Sequence, residues 1–405
     1  MASTSCNDRA AELLACCLHG ERRPDGLLDS LLAPECSDAL FRVVVERLAD
    51  LFEPRLCDVY AELFSEIIER VAPDFKAADL VARYRRIRQP RIFSADVRTV
   101  FVLSRVTLGA DVAITSVLLD AAKRRFPGAR IILAGSRKSW EMFAGDPRIE
   151  HLPAPHVRSG SVSDRLAPWA DLKRALSEPD SIVIDPDSRL TQLGLLPICP
   201  EENYFFFESR GYGGDGDDAL PVLAARWARE TFGIEEAGRF VAPAHSMDIP
   251  GRPFVTMSFG VGENPAKRVG DAFETQLVAH VSRAGMHVLI DQGAGGDEAE
   301  RVTRAIANSG APADRVQTFC GPFAQFATAI AKSDLYIGYD SAGQHVAAAC
   351  AVPLLSIFAG YPSERFFARW RPLSGSTAEI IKVQPSDVAE ILTRALAFID
   401  RQRDG

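Results

Sequence analysis

The sequence predicts an α/β protein in which two doubly wound parallel sheets follow an all-helical region. Three observations support this fold class. Apolar residues recur only at helical spacing in residues 1–90. After Pro90, short apolar runs of strand length alternate with stretches of helical periodicity, a pattern typical of a parallel sheet. The alternation pauses after Phe232 and starts again at Phe254, so the chain contains two such units.

The helical region contains four periodic segments separated by proline-containing breaks. The predicted helices are 10–18, 26–32, 39–52 and 58–71. The arginine-rich run 83–90 closes the region and is expected to be a solvated connector. Domain boundaries are predicted at residues 1–95, 96–240 and 241–405.

The two sheet-forming units show the same order of strands and helices. In the first unit the predicted strands are 99–103, 130–134, 149–152 and 181–184, and the helices are 113–126, 162–176 and 219–232. In the second unit the strands are 254–258, 287–291, 316–319, 335–337 and 354–358. Its helices are 273–284, 297–308, 323–332, 343–350 and 386–401. The glycine-rich segment 210–218 is expected to be a surface loop or a mobile loop beside the site.

Composition excludes several classes of protein. The 405 residues carry a net charge of −8, so no basic surface for nucleic acid is expected. No run of about 18 apolar residues predicts a membrane-spanning helix, and the first residues lack the pattern of a signal peptide. The eight cysteines form no C-x-x-C pair, which favours reduced thiols in a cytoplasmic protein over a zinc site.

The most informative motif follows the predicted strand 335–337. Asp340 and Ser341 lie in the turn after this strand, where open α/β sheets bind ligands. Ser341 suits a helix N-cap, and the backbone N–H groups behind it suit a phosphate. Gly343 lies in the first turn of the predicted helix, and His345 lies about one turn into it.

A second motif, 258–268, also stands between a strand and a helix. Gly260 and Gly262 allow the backbone to approach a ligand closely. Lys267 places a positive charge in the same loop. Together with Asp340 this pattern favours a site for a negatively charged ligand over a solvated basic pair.

The two motifs resemble those of the lipopolysaccharide heptosyltransferases, glycosyltransferase family nine. The resemblance covers roughly residues 97–385 and implies a GT-B fold with two Rossmann-like domains facing a cleft. It implies that Lys267 binds the donor pyrophosphate and that the Asp340–His345 motif holds the sugar nucleotide. Two positions depart from the family pattern: Ala342 replaces its glycine and Val269 its aromatic residue.

A third family motif, the Gly-Asp pair of the first strand-to-helix turn, is similar to Gly109-Ala110-Asp111. The resemblance implies that Asp111 is the base towards the acceptor hydroxyl. The inserted Ala110 shifts the register by one residue. Capping of the following helix by Asp111 is the structural alternative.

The resemblance implies an enzyme that transfers a sugar, with ADP-heptose as donor, inversion at the sugar carbon, and neither a metal nor a cofactor. Lys267, the helix behind Ser341 and His345 would stabilise the departing pyrophosphate. The acceptor is a glycan, a protein or a small molecule. Alternatives are a non-catalytic GT-B scaffold and a GT-B-fold sugar-nucleotide epimerase. The helical region is expected to bind an acceptor, a partner or a second copy of the chain.

Two weaker patterns complete the predicted site. Asp185-Pro186-Asp187 has the D-x-D form of metal-dependent glycosyltransferases, but it lies in the first unit. We expect it to be a loop on the acceptor side, with Arg189 nearby. The glycine-rich segment 293–296 is expected to run alongside the nucleoside of the donor, with Asp297 or Glu298 near the ribose.

Overall fold

Two parallel sheets form the centre of the protein. The computed structural model describes residues 5–262, 264–293, 295–383 and 388–404. The strands are β1 (Thr99–Leu103), β2 (Arg130–Gly135), β3 (Ile149–Pro153), β4 (Ser181–Asp185), β5 (Tyr204–Phe206), β6 (Phe254–Ser258), β7 (His287–Asp291), β8 (Val316–Phe319), β9 (Leu335–Tyr339), β10 (Leu354–Phe358) and β11 (Ala378–Lys382).

Both sheets are doubly wound. The first has the order β3-β2-β1-β4-β5 and the second β11-β10-β9-β6-β7-β8, with every pair parallel. The chain reverses its direction of winding between β1 and β4, and again between β6 and β9. A doubly wound sheet opens a crevice at such a switch point, outside the carboxyl ends of the strands.

Helices cover the sheets and form the N-terminal region from residue 6 to residue 87, with short connections between them. The α-helices are Cys6–His19, Leu27–Leu31, Ser37–Ala39, Glu46–Asp50, Pro54–Val71, Ala77–Ile87, Leu108–Ala110, Ser116–Arg125, Arg137–Glu141, Val162–Leu166, Trp169–Ala175, Leu220–Phe232, Asp271–Arg283, Asp297–Ser309, Phe323–Lys332, Ala342–Ala349, Glu364–Trp370 and Val388–Asp404. Shorter 3-10 turns are Pro34–Cys36, Arg189–Thr191, Glu201–Asn203 and Pro265–Lys267, and π-helical stretches are Leu40–Val45 and Asp111–Thr115.

The predicted strands are all present, and the differences have local causes. Strand β5 is only three residues long and lies in an aromatic run, so alternation could not reveal it. The predicted helix 162–176 is two helices because Pro168 has no N–H to continue the first. Ser386, where the last helix was predicted to begin, lies outside the described residues.

The basic run 83–90 is not a solvated connector, which corrects that prediction. Most of it belongs to the helix Ala77–Ile87, and Arg83 and Tyr84 are buried. The Arg83 guanidinium donates to the Gly194 carbonyl at 2.6 Å and lies over the Tyr204 ring. The apolar stem and the paired head of Arg83 therefore attach the helical region to the first sheet.

The helical region and the first sheet share one apolar core. Phe101 and Leu103 of β1 pack in the same cluster as Tyr60 and Phe64 of the helix Pro54–Val71. The domain boundary near residue 95 stays a prediction. Buried residues from both sides of it belong to this one cluster.

Two cysteines differ from the expectation of reduced thiols. Cys6 and Cys36 form a disulfide that joins the first helix to the turn Pro34–Cys36, while the other six cysteines are free. Among the described residues, no helix has the length and apolar character needed to cross a bilayer.

Candidate functional site

The switch point of the second sheet brings the two predicted donor motifs together. Strands β6 and β9 are neighbours, so the loop after β6 meets the turn after β9. The Lys267 Nζ donates to the Asp340 Oδ2 at 2.7 Å, and the Gln344 Nε2 donates to the Asp340 Oδ1 at 2.7 Å. Both carboxylate oxygens of Asp340 are therefore held. Sequence reasoning missed Gln344, although it stands four residues after Asp340, where a helix turn can return a side chain.

The helix Ala342–Ala349 begins at this ion pair with its amide groups uncapped by a side chain. Ser341 occupies the N-cap position in an extended conformation, but its hydroxyl makes no capping bond. That hydroxyl is buried and has no hydrogen-bond partner among the described residues. A helix N-terminus with unsatisfied N–H groups carries a partial positive charge and favours an anion.

Gly343 allows this helix to approach the sheet. A Cβ at Gly343 would lie 2.1 Å from the Tyr336 hydroxyl oxygen, too close for any other residue. The glycine therefore sets the height of the helix N-terminus above β9. This role was not predicted from the sequence, where Gly343 was expected only to contact the donor.

A second part of the crevice lies between the loops after β6 and β7. A Cβ at Gly260 would lie 2.3 Å from the Glu298 Oε1, and a Cβ at Gly293 would lie 2.0 Å from the Glu298 Oε2. Two glycines thus make room for one carboxylate at the carboxyl ends of adjacent strands. Gly262 has a φ of +60°, which glycine adopts without strain. Ala294 of the predicted nucleoside loop lies outside the described residues.

His345 is buried beside the Lys267–Asp340 ion pair, and its imidazole ring is neutral. Its Nδ1 is buried and has no hydrogen-bond partner in the part of the chain that the structure describes, and its ring centre is 5.7 Å from that of Trp370. Burial, with smaller effects of the nearby Arg239 and Lys267 charges, lowers the pKa of His345 to about 3. At neutral pH this imidazole can donate or accept a hydrogen bond, but it adds no positive charge.

The turn after β1 closes the crevice from the other sheet. A Cβ at Gly109 would lie 3.3 Å from the His345 Cδ2 and 3.4 Å from the Ala342 Cα. The Gly-Ala-Asp turn of the first unit therefore packs directly on the helix that carries the second-unit motif. All three predicted motifs meet at one place.

The Asp111 carboxyl group is not exposed to the solvent in the crevice. It is fully buried. One of its oxygens accepts from the Arg105 N–H at 2.7 Å and the Thr115 hydroxyl at 2.9 Å, and the other accepts from the Ser104 hydroxyl at 2.8 Å. Burial raises the pKa of this carboxyl. Its role as base stays a prediction, while this enclosure fits a carboxylate that holds the turn.

The extra residue Ala110 coincides with an irregularity in the helix. It ends the short helix Leu108–Ala110, and the next five residues, Asp111–Thr115, form a π-helical turn before the helix Ser116–Arg125. A π-helical turn accommodates one extra residue within a continuous helix. Asp111 therefore lies inside the helix rather than in the open turn.

The Asp185-Pro186-Asp187 segment lies at the first switch point and points inward. Asp185 accepts from the Thr191 and Tyr204 hydroxyls at 2.6 and 2.5 Å, and burial raises its pKa to about 6. Asp187 accepts from the Arg210 guanidinium at 2.9 Å. Both carboxylates are fully buried, so in the described structure they hold the loop rather than face a ligand.

Among comparisons with known proteins, a family profile covers the two motifs of the second sheet. The profile of glycosyltransferase family 9 (heptosyltransferase) matches residues 230–389, which contain every predicted donor residue. No curated protein matches the chain.

Solved structures share the fold at low sequence identity. A glycosyltransferase family 9 protein from Veillonella parvula has a TM-score of 0.56 at 15% identity and covers 76% of this chain and 99% of its own. The E. coli ADP-heptose lps heptosyltransferase II has a TM-score of 0.53 at 17% identity, covering 75% and 98%. E. coli heptosyltransferase WaaC, solved with ADP, has a TM-score of 0.53 at 12% identity, covering 75% and 99%.

These findings confirm the predicted fold and the predicted resemblance. The chain has the GT-B arrangement of two parallel-sheet units, with an additional helical region at its N-terminus. It is similar to glycosyltransferase family 9, and the prediction that it is a glycosyltransferase is confirmed.

The first prediction concerns Lys267. Lys267→Ala should weaken ADP binding by about 1.5–3 kcal/mol, the range for a charge-assisted hydrogen bond. Isothermal titration calorimetry measures this change, and the melting temperature checks that the unpaired Asp340 has not unfolded the site. Lys332→Ala is the matched control, since that lysine is exposed and donates to the Met247 carbonyl at 2.6 Å, away from the crevice. Equal ADP affinity in Lys267→Ala and wild type would remove the pyrophosphate assignment.

The second prediction concerns pH. His345 has a pKa of about 3 when folded, against about 6.5 when unfolded. The unfolded chain therefore binds a proton that the folded chain does not bind, and the free energy of unfolding falls as pH drops below about 6.5. Between pH 6.5 and 4.5 the unfolding free energy of wild type should fall by about 2 kcal/mol more than that of His345→Gln. Urea denaturation at several pH values measures the difference, and parallel curves would contradict the buried neutral imidazole.

Proposed function

We propose that this glycosyltransferase moves heptose from ADP-heptose to an acceptor hydroxyl, with inversion and without a metal. The observation that carries the proposal is the Lys267–Asp340 pair at the uncapped N-terminus of the helix Ala342–Ala349. A cation and a row of N–H groups at a switch point fit a diphosphate. ADP in the E. coli WaaC structure and ADP-heptose in the name of heptosyltransferase II support the choice of nucleotide and sugar.

Lys267 and the helix N-terminus would hold the charge of the diphosphate. The Lys267 side chain is mostly enclosed, with 20% of it exposed, so its charge is only partly screened by water. The unpartnered Ser341 hydroxyl and the unpartnered Nδ1 of His345 would add neutral hydrogen bonds. Fixed donors aimed at the leaving oxygen stabilise charge as it develops there. This set would take the place that a divalent cation has in metal-dependent enzymes.

Glu298 would bind the sugar of the nucleoside. Its carboxylate occupies the space left by Gly260 and Gly293. A carboxylate accepts hydrogen bonds from a pair of ribose hydroxyls. In the proposed complex the nucleoside would lie over β7 and the transferred sugar would point towards the first sheet.

The transfer itself needs one bond to form and one to break. The acceptor oxygen attacks the anomeric carbon from the face opposite the diphosphate. The bond from that carbon to the phosphate oxygen breaks, and its electron pair stays on the diphosphate beside Lys267. The acceptor's proton passes to a carboxylate, and Asp111 is the residue that the family resemblance assigns to this step.

The proposed location is the cytoplasm. The disulfide between Cys6 and Cys36 stands against it, because such bonds are rare in reducing compartments. The proposed acceptors are a glycan, a protein or a small molecule.

The test is turnover of a panel of donors. Release of nucleoside diphosphate should be fastest from ADP-heptose, unchanged by EDTA, and slower from UDP-, GDP- and dTDP-sugars. Proton NMR of the product reports the anomeric configuration and hence inversion. Binding of ADP without any release from ADP-heptose would favour the scaffold alternative, and an epimerised sugar still attached to its nucleotide would favour the epimerase.

A further inference from the structure

A cavity of about 520 Å³ lies at the carboxyl edge of the first sheet. Its wall is formed by the loops after β3 and β4 and by the helices Val162–Leu166 and Trp169–Ala175. Apart from four residues the wall is apolar, and it includes Val157, Leu190 and Leu196. A concave site of this volume, with an apolar wall and a few polar groups, is typical of small-molecule binding.

Two hydrogen bonds attach the wall of this cavity to the turn after β1. From the loop after β4, the Ser188 hydroxyl donates to the Ser104 carbonyl at 2.5 Å. From the loop after β3, the Arg158 guanidinium donates to the Val106 carbonyl at 3.2 Å. The same turn continues to Gly109, which packs on the helix of the donor site. The cavity therefore lies beside the place where an acceptor would meet the donor sugar.

The polar residues of the wall are His156, Arg165, Asp171 and Arg189. Arg165 donates to the Asp38 carboxylate at 2.6 Å, and Asp171 accepts from the exposed Arg174 at 3.0 Å. Burial, with smaller effects of nearby arginines, lowers the pKa of His156 to about 4, so this ring is neutral at pH 7. Three of the four residues thus add little net charge, and the wall suits an uncharged group.

The helical region holds one side of the cavity in shape. The Ser37 hydroxyl donates to the Gly160 carbonyl at 2.9 Å. Asp38 pairs with Arg165, whose guanidinium lies 4.0 Å from the centre of the Phe41 ring. These contacts fix the chain between β3 and the helix that follows it. The N-terminal helices therefore shape the cavity from outside the two sheets.

Trp169 separates this cavity from a second one of about 270 Å³, because its side chain lines both. The second cavity also contacts Val71 and Phe75 of the helical region. The Trp169 Nε1 donates to the Pro197 carbonyl at 3.0 Å, and its ring centre lies 5.0 Å from that of Phe75, edge to face. The indole is thus held in place, and it limits the length of any group in the first cavity.

We propose that this cavity binds an apolar group of the acceptor, and that the acceptor is a small alcohol or phenol with an aromatic ring or short alkyl chain near its hydroxyl. This acceptor class rests on the proposed function. A sugar ring in the cavity would leave several hydroxyls unpaired against an apolar wall, which is costly. An apolar ring against Trp169 would instead leave water. Its burial would hold the attached hydroxyl at the turn after β1, in reach of the donor sugar.

The experiment compares 2-phenylethanol with ethanol, which share one hydroxyl and differ by a phenyl ring. Their affinities for the full chain in the presence of ADP are measured by ligand-observed NMR titration. ADP release from ADP-heptose is then measured with each alcohol as acceptor. Burial of the ring should make 2-phenylethanol bind at least about tenfold more tightly than ethanol, and ADP release should be faster with 2-phenylethanol at equal concentration.

Two variants fill the cavity from exposed positions of its wall, Ala167→Phe and Ala175→Phe. Each should remove the preference for 2-phenylethanol while ADP affinity and melting temperature stay as in wild type. Ala170→Phe is the matched control, since Ala170 is exposed on the same helix as Ala175 but is not part of the wall. Trp169→Ala should join the two cavities and shift the preference to the longer 4-phenylbutanol.

Equal affinity of wild type for 2-phenylethanol and ethanol would overturn the assignment of the cavity. So would a preference that survives in both filling variants, or tight binding of 2-phenylethanol without faster release of ADP. In each of these cases ADP would still bind, and the proposed function would stand. Failure of wild type to bind ADP would overturn the proposed function, and the acceptor class with it.

Discussion

The ion pair between Lys267 and Asp340 is the interaction on which the site depends. It joins the loop after β6 to the turn after β9, and it can form because these strands are neighbours at the switch point. Asp340 in turn orients Gln344, whose amide oxygen accepts from the Ser356 hydroxyl of β10. The start of the helix Ala342–Ala349 is thereby fixed between three strands. A diphosphate entering the crevice would share Lys267 with Asp340 rather than meet a free, mobile ammonium.

A second buried network of hydrogen bonds and an ion pair holds the loops of the first sheet in place. Arg210 bonds to Asp187 at 2.9 Å and to the Tyr84 hydroxyl at 3.1 Å, and Tyr84 donates to Glu208. Tyr84 belongs to the helical region, whereas the other three belong to the loops beyond β4 and β5. Removing one partner of a buried ion pair leaves an uncompensated charge, which costs about 3–5 kcal/mol. This network therefore fixes the helices against the first switch point.

The sequence was sufficient for the parts of the structure that follow local rules. Apolar runs located the strands, and the residues after β6 and β9 could be assigned to one crevice because parallel strands end at the same edge. The burial of Asp111 was not visible, since its partners Ser104 and Thr115 look like any polar residues. The burial of Arg83 was not predictable because its partner, the Gly194 carbonyl, is distant in sequence.

A crystal structure of the protein with ADP is the most direct test of the central claim. We expect the β-phosphate within hydrogen-bond distance of the Lys267 Nζ and of the backbone N–H groups of Ala342 and Gly343, with the ribose next to Glu298. A nucleotide bound elsewhere, or a diphosphate that contacts neither Lys267 nor this helix, would contradict it.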